Sequence, residues 1–236
     1  MTAIKGKILE LEFDSKEEFI KVLTPSNKTL MVPTFLKSNA KVAIRILLKE
    51  AGEYSINNQK IEVKESNYKK RELKLSKDKS HLMLDKKPFF WLSDTWWLAL
   101  CGRLSLEEFK KLANIRKNQG FNVIQLVAGL FPDMDSFDIR GSNSGGFAWN
   151  KDYSSINPAF FDEAEEKIKY LYELGFHIAL VGSWGYYLQK LGLEKIKEHW
   201  RYLIARWGVY CSIYIAAGEA TMPYYLSTKR AKESKE

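Results

Sequence analysis

The spacing of apolar residues changes once along the chain, near residue 80. Before that point apolar and polar positions alternate. Ile8 to Phe13 interleaves with acidic residues, Lys41 to Leu48 is β-branched and apolar with Arg45 interrupting it, and Gln59 to Lys64 alternates again. Ala51-Gly52-Glu53-Tyr54 reads as a turn leading into a further strand. Alternation sends successive side chains to opposite faces of a strand, and Gly, Asn and Pro between the runs supply turns. Residues 1–80 therefore predict a small antiparallel, β-sandwich-like domain. Its last stretch, 66–80, is polar and Lys-rich and predicts a connecting strand or linker.

From residue 81 on, short apolar runs alternate with amphipathic segments. His81 to Leu84 and Pro88 to Leu92 predict a hairpin feeding a buried strand. Ser105-Leu106-Glu107-Glu108 has capping-box spacing, in which the Ser and Glu side chains each satisfy a free backbone N–H at the helix start. The helix behind it stops at Gly120. Phe121 to Ala128 predicts a second strand, followed by a long loop over 129–157. Asn157-Pro158 opens a helix that runs to Leu174, because proline's missing N–H costs nothing at a first helical position. Phe176 to Val181, a helix over Leu193 to Trp207, and Tyr210 to Ala216 complete the series. Strands this apolar have no wet face, so β-α-β-α-β-α-β predicts a parallel sheet covered by helices, an α/β fold.

In such sheets chemistry gathers where the strands end at their carboxyl side. Those ends read Ser93-Asp94-Thr95-Trp96-Trp97, then Gln125 and the loop after it, then Ser183-Trp184-Gly185-Tyr186-Tyr187, then Gly218-Glu219. Glu219 follows an apolar run and a glycine, which suits an acid with a raised pKa in a partly apolar cleft; a helix-capping carboxylate would look the same. Asp94 fits binding of sugar hydroxyls or bracing of the site, and equally an N-cap or a barrel-mouth hydrogen bond. Trp96, Trp97, Trp184 and Tyr186 fit either walls that stack on a sugar ring or core packing, and Gln125 fits either a ligand amide or one satisfied by backbone.

Composition narrows the chemistry. The chain has 236 residues, 14% of them aromatic, with a formal charge of +8. The lysines are scattered and no basic run interleaves with aromatics, which argues for a solvated surface and no nucleic-acid partner. Cys101 and Cys211 have no ligand spacing and lie in apolar contexts, so they read as buried free thiols. His81, His177 and His199 are scattered, and the acidic residues of 129–157 do not form a calcium loop; no metal and no cofactor are expected. The N-terminus shows no apolar signal segment and no run long enough to span a bilayer, so no membrane contact and a cytoplasmic location are expected.

Pro88-Phe89-Phe90-Trp91-Leu92-Ser93-Asp94-Thr95-Trp96-Trp97, Gly120-Phe121-Asn122-Val123-Ile124-Gln125, Asn157-Pro158-Ala159-Phe160-Phe161-Asp162, Gly182 to Tyr186, and Ala217-Gly218-Glu219 together resemble the apiosidase-like family. That family is assigned to the glycoside hydrolases and was long catalogued as a domain of unknown function. The likeness runs colinearly over 81–226, and 1–80 more weakly resembles the β-sandwich that often precedes it. It implies about half of a TIM (β/α)8 barrel over 81–226, truncated after the fourth strand, with a charged tail at 227–236. It also implies hydrolysis of a glycosidic bond in a polysaccharide, with Glu219 as acid/base. Asp94, Thr95, Trp96, Trp97, Gln125, Trp184 and Tyr186 would bind the sugar. A second carboxylate is required on the other face of the sugar. Its source would be a second polypeptide completing the barrel or a second copy of the chain; the rival expectation is an inactive or merely carbohydrate-binding fragment.

Overall fold

A computed structural model describes residues 1–69 and 71–220. The strands are β1 (Thr2–Ile4), β2 (Ile8–Phe13), β3 (Phe19–Leu23), β4 (Thr29–Pro33), β5 (Phe35–Leu36), β6 (Val42–Leu47), β7 (Gly52–Ile56), β8 (Gln59–Lys64), β9 (Leu73–Leu75), β10 (Leu82–Leu84), β11 (Lys87–Pro88), β12 (Ser93–Trp96), β13 (Val123–Val127), β14 (His177–Val181) and β15 (Cys211–Ile215). The helices are α1 (Leu106–Asn118), α2 (Pro158–Glu173), α3 (Tyr186–Leu191) and α4 (Leu193–Trp207). The chain divides into two compact units. The first is Met1–Phe90 with Ile204–Val209; the second is Trp91–Leu203 with the chain from Tyr210 on. The tail expected at 227–236 lies outside the described residues, as does the end of the segment 81–226.

The first unit carries a five-stranded sheet in the order β1-β8-β7-β3-β4 and a three-stranded sheet in the order β2-β6-β5. Their apolar positions form one core cluster: Ile20 and Val22 from β3, Ile44 and Ile46 from β6, Tyr54 and Ile56 from β7, Ile61 and Val63 from β8. Arg45, which interrupts the apolar run of β6, stands directly across from Glu10 of β2. Its buried guanidinium donates to Glu10 Oε2 at 2.6 Å, and Lys37 reaches Glu10 Oε1 at the same distance. Partial burial pushes the Glu10 pKa up, but Lys37 and Arg45 outweigh it and hold the carboxyl below its ordinary value. A third sheet, β11-β10-β9, fills part of the polar stretch 66–80 and the hairpin after it.

The second unit is a four-stranded parallel sheet in the order β12-β13-β14-β15, with each strand beside its successor. The expected boundary of its first strand is corrected. Pro88 belongs to the hairpin, where β11 pairs with β10, and Phe90 is 78% exposed. The strand that enters the parallel sheet is Ser93–Trp96, in register with Val123–Leu126. Pairing with β13, not the hydrophobicity of 88–92, chooses which residues extend.

Helix ends follow the sequence signals. Ser105 Oγ accepts from Glu108 N while Glu108 Oε2 accepts from Ser105 N at 2.9 Å, so the capping box over α1 forms. Asn157 caps α2 and uses its amide to hold the carbonyls of Gly145 and Phe147, tying the 129–157 loop to the helix start. Gly120 and Gly175 follow α1 and α2 with φ of +87° and +79°, the left-handed conformation that ends a helix and that glycine adopts without steric cost. Among the described residues no helix is long and apolar enough to cross a membrane.

Candidate functional site at the carboxyl ends of the parallel strands

Register divides the candidate residues between the two faces of the sheet. Trp96, Leu126, Leu180 and Tyr214 are partners across the four strands. Trp96 packs edge-on against Phe109 of α1 and Tyr214 meets Trp200 of α4, so this is the helix-covered face. Asp94, two residues before Trp96, shares it. Asp94 Oδ2 accepts from Arg116 Nε of α1 at 2.5 Å and from Trp96 Nε1 at 3.0 Å. Partial burial raises the Asp94 pKa, but these two donors and the guanidinium charge hold it below the usual carboxylate range. Asp94 and Trp96 thus brace β12 against α1.

Thr95, Gln125, Ala179 and Ile213 are partners on the opposite face. Strand alternation leaves the Thr95 hydroxyl and the Gln125 amide on the side that the helices do not cover, and both are half-buried.

Beyond the strands the loops after β14 and β15 zip together. Trp184 bridges Gly218, Gly218 N donates to Ser183 O at 2.9 Å, and Gly185 N donates to Gly218 O at 2.8 Å. Trp184 Nε1 donates to Glu219 Oε2 at 2.9 Å. The indole lies so close over Gly218 that a Cβ there would sit 2.5 Å from the ring, which only glycine permits. Glu219 itself is exposed and holds φ at +49°, a left-handed conformation that is strained for a side-chain-bearing residue and that concentrates at functional sites. Trp97, 50% exposed, packs on buried Trp184 with ring centroids 5.5 Å apart. Trp97, Trp184 and Glu219 therefore form one cluster of two indoles and a solvent-facing carboxylate.

Tyr186 does not join it. It is buried on α3, stacked on Tyr187, and both hydroxyls point to the Phe131 carbonyl, at 3.4 and 2.9 Å. The 129–157 loop packs on its own aromatics: Phe137 meets Phe147 and Tyr153, and the small hollow beside them, lined also by Tyr187, encloses about 30 Å³, room for water but not for a sugar ring. Lys167 of α2 is buried and donates to the carbonyls of Ala99, Cys101 and Leu104, which pins the segment after Trp97. Burial lowers its pKa, although nearby carboxylates oppose that. Both cysteines are buried and free; burial pushes the Cys101 thiol up to about 12, which keeps it protonated and inert. Among the described residues no group of three or more His, Cys, Asp or Glu could hold a metal ion.

A family model described as the apiosidase-like catalytic domain matches residues 76–235. The chain belongs to the apiosidase-like family. This apiosidase-like chain is also similar to a crystal structure from Bacteroides vulgatus ATCC 8482 that is provisionally assigned as a glycoside hydrolase. The TM-score is 0.63 at 16% identity, over 99% of this chain and 54% of that one. A glycoside hydrolase family 5 structure from the same organism is similar at a TM-score of 0.53 and 19% identity, over 70% of this chain and 36% of that one. The apiosidase-like chain thus spans about half the length of the first of these structures and shares its fold. Comparison with curated proteins gives no significant match.

Sequence reasoning missed one residue that holds the strand ends beneath the Trp184–Glu219 cluster. His199, on α4, is fully buried; its Nε2 lies 2.8 Å from Ala128 O and 2.9 Å from Gly182 O, and Trp149 Nε1 donates to its Nδ1 at 3.2 Å. That network requires the neutral Nε2–H tautomer. Burial lowers the His199 pKa from 6.5 to about 4, with the two carbonyls opposing the shift. The unfolded chain therefore takes up this proton first, and stability present above pH 6.5 is lost as pH falls toward 4. At one unit per 1.36 kcal/mol the loss reaches roughly 3 kcal/mol at pH 4. Urea unfolding of wild type and His199→Gln at pH 7 and pH 4 measures it: the stability advantage of wild type should shrink by that amount, because the carboxylate contribution is common to both.

Proposed function

We propose that the chain carries the first four strands of a (β/α)8 barrel and the acid/base half of a glycoside hydrolase site. Sequential parallel order of β12 to β15 supports the barrel, since a closed eight-stranded barrel places each strand beside its successor. Family membership supports the reaction class. The observation that carries the site is the Trp184 Nε1 to Glu219 Oε2 hydrogen bond, made where β14 and β15 end and flanked by exposed Trp97.

In this reading Glu219 protonates the glycosidic oxygen as the bond breaks. The Trp184 N–H occupies one carboxyl oxygen and orients the other toward the leaving group. Trp97 offers its indole to the C–H face of a sugar, while Thr95 and Gln125 offer a hydroxyl and an amide to its hydroxyls from the uncovered face of the sheet. The second carboxyl group, as nucleophile or as base for water, comes from the remaining strands of the barrel. The substrate is a plant- or microbe-derived polysaccharide.

The test is a reducing-end release screen on such polysaccharides, using the protein with its barrel complete, beside Glu219→Gln. Release that depends on Glu219 supports the proposal. Release undiminished in Glu219→Gln, or none from any polysaccharide, overturns it.

A further inference from the structure

Helix α4 does more than cover the sheet. His199 and Trp200 are consecutive residues on it, and each spends its ring N–H on carbonyl groups where the parallel strands end. His199 Nε2–H serves Ala128 O after β13 and Gly182 O after β14, while Trp200 Nε1 donates to Ala216 O after β15 at 3.1 Å. The approach is close: a Cβ on Gly182 would lie 2.3 Å from the Trp200 ring. Three neighbouring strands thus have a terminal carbonyl held from one turn of one helix. Two residues past Gly182 stands Trp184, and three past Ala216 stands Glu219, so the two held carbonyls of β14 and β15 are the roots of the two loops that meet in the Trp184–Glu219 bond. A backbone carbonyl at a strand end has no ladder partner beyond it, so a side-chain donor there fixes where the following loop departs.

We infer that His199 and Trp200 are positioning residues: together they set the relative height of the β14 and β15 loops and so the alignment of the Trp184 indole with the Glu219 carboxylate. Neither touches the proposed sugar site. The alternative is that both merely fill the helix–sheet interface, where many side chains of similar bulk would serve. The inference rests on the reading of Trp184 and Glu219 as the site, but it concerns their geometry and is tested without turnover.

The experiment is 15N NMR of the tryptophan indole N–H groups in the full chain, with the Trp184 signal assigned by its loss in Trp184→Phe. Trp200→Phe keeps a smaller flat ring on α4 and removes the donor together with part of the indole, so the donor itself is isolated by the His199 pair. His199→Gln keeps a donor at the Nε2 position, and His199→Asn removes it. Trp200→Phe and His199→Asn should displace the Trp184 indole resonance and raise its hydrogen exchange about tenfold, the effect expected when one hydrogen bond is loosened. His199→Gln should leave both near wild type. A Trp184 signal unmoved in Trp200→Phe overturns the inference, whatever happens to thermal stability. So does a displacement in His199→Gln as large as in His199→Asn, since that would report packing and not the donor. Absence of sugar release with the clamp intact counts against the hydrolase reading alone.

Discussion

Under the proposed acid/base role, Glu219→Gln in the protein with its barrel complete is expected to cut glycosidic hydrolysis by about 10²–10⁴-fold, the usual contribution of a positioned general acid or base. The fold should be nearly indifferent to the change. The side chain is exposed, and the amide oxygen of glutamine can still accept from Trp184 Nε1, so the loop geometry survives. What glutamine cannot do is release a proton to the leaving oxygen. Measuring kcat/KM and the urea midpoint on the same two proteins separates the cases. A large fall in turnover with an unchanged midpoint supports the acid/base role. A fall in both by comparable free energies would mean that Glu219 acts through structure, as a partner of the indole.

The largest expected loss of stability comes from Phe161→Ala, about 3–5 kcal/mol, because truncating a buried phenylalanine removes its transfer free energy and leaves a cavity. Phe161 of α2 is fully buried; its ring meets Phe160 at 5.2 Å, Tyr202 at 4.9 Å and His199 at 6.4 Å between centroids. A Cβ on Gly129 would lie 3.7 Å from the Phe161 ring, so the cavity would open directly under the loop that leaves β13. Chemical denaturation should show the lowered midpoint, and a loss under 1 kcal/mol would mean that the α2–α4 interface relaxes to fill the gap. A comparable truncation at the surface, such as Leu193→Ala on 55%-exposed Leu193, should cost far less, since little area returns to water.

Much of the architecture was legible because it rests on local signals. The capping box at Ser105–Glu108, the Asn157-Pro158 helix start and the glycine stops after α1 and α2 act over three or four residues, so the sequence states them outright. The runs at 123–127, 177–181 and 211–215 are mostly apolar, interrupted only by Gln125, His177 and Ser212, as strands of a covered parallel sheet are, and the colinear motifs from Pro88 to Glu219 were enough to point to the apiosidase-like family. Even Arg45, anomalous in its run, became an ordinary cross-strand partner once β2 and β6 were paired.

Tertiary structure alone decided three things, each because it depends on groups distant in sequence. Which part of 88–97 extends as β12 is set by hydrogen bonds to β13, thirty residues on, so the apolar stretch 88–92 misled. Which face each strand-end residue takes follows from that register: Asp94 and Trp96 turn to α1, Thr95 to the other side, and a one-residue slip would exchange them. The role of His199 is carried by two carbonyls and an indole lying 17, 71 and 50 positions away, and a lone histidine in a helix gives no local sign of them.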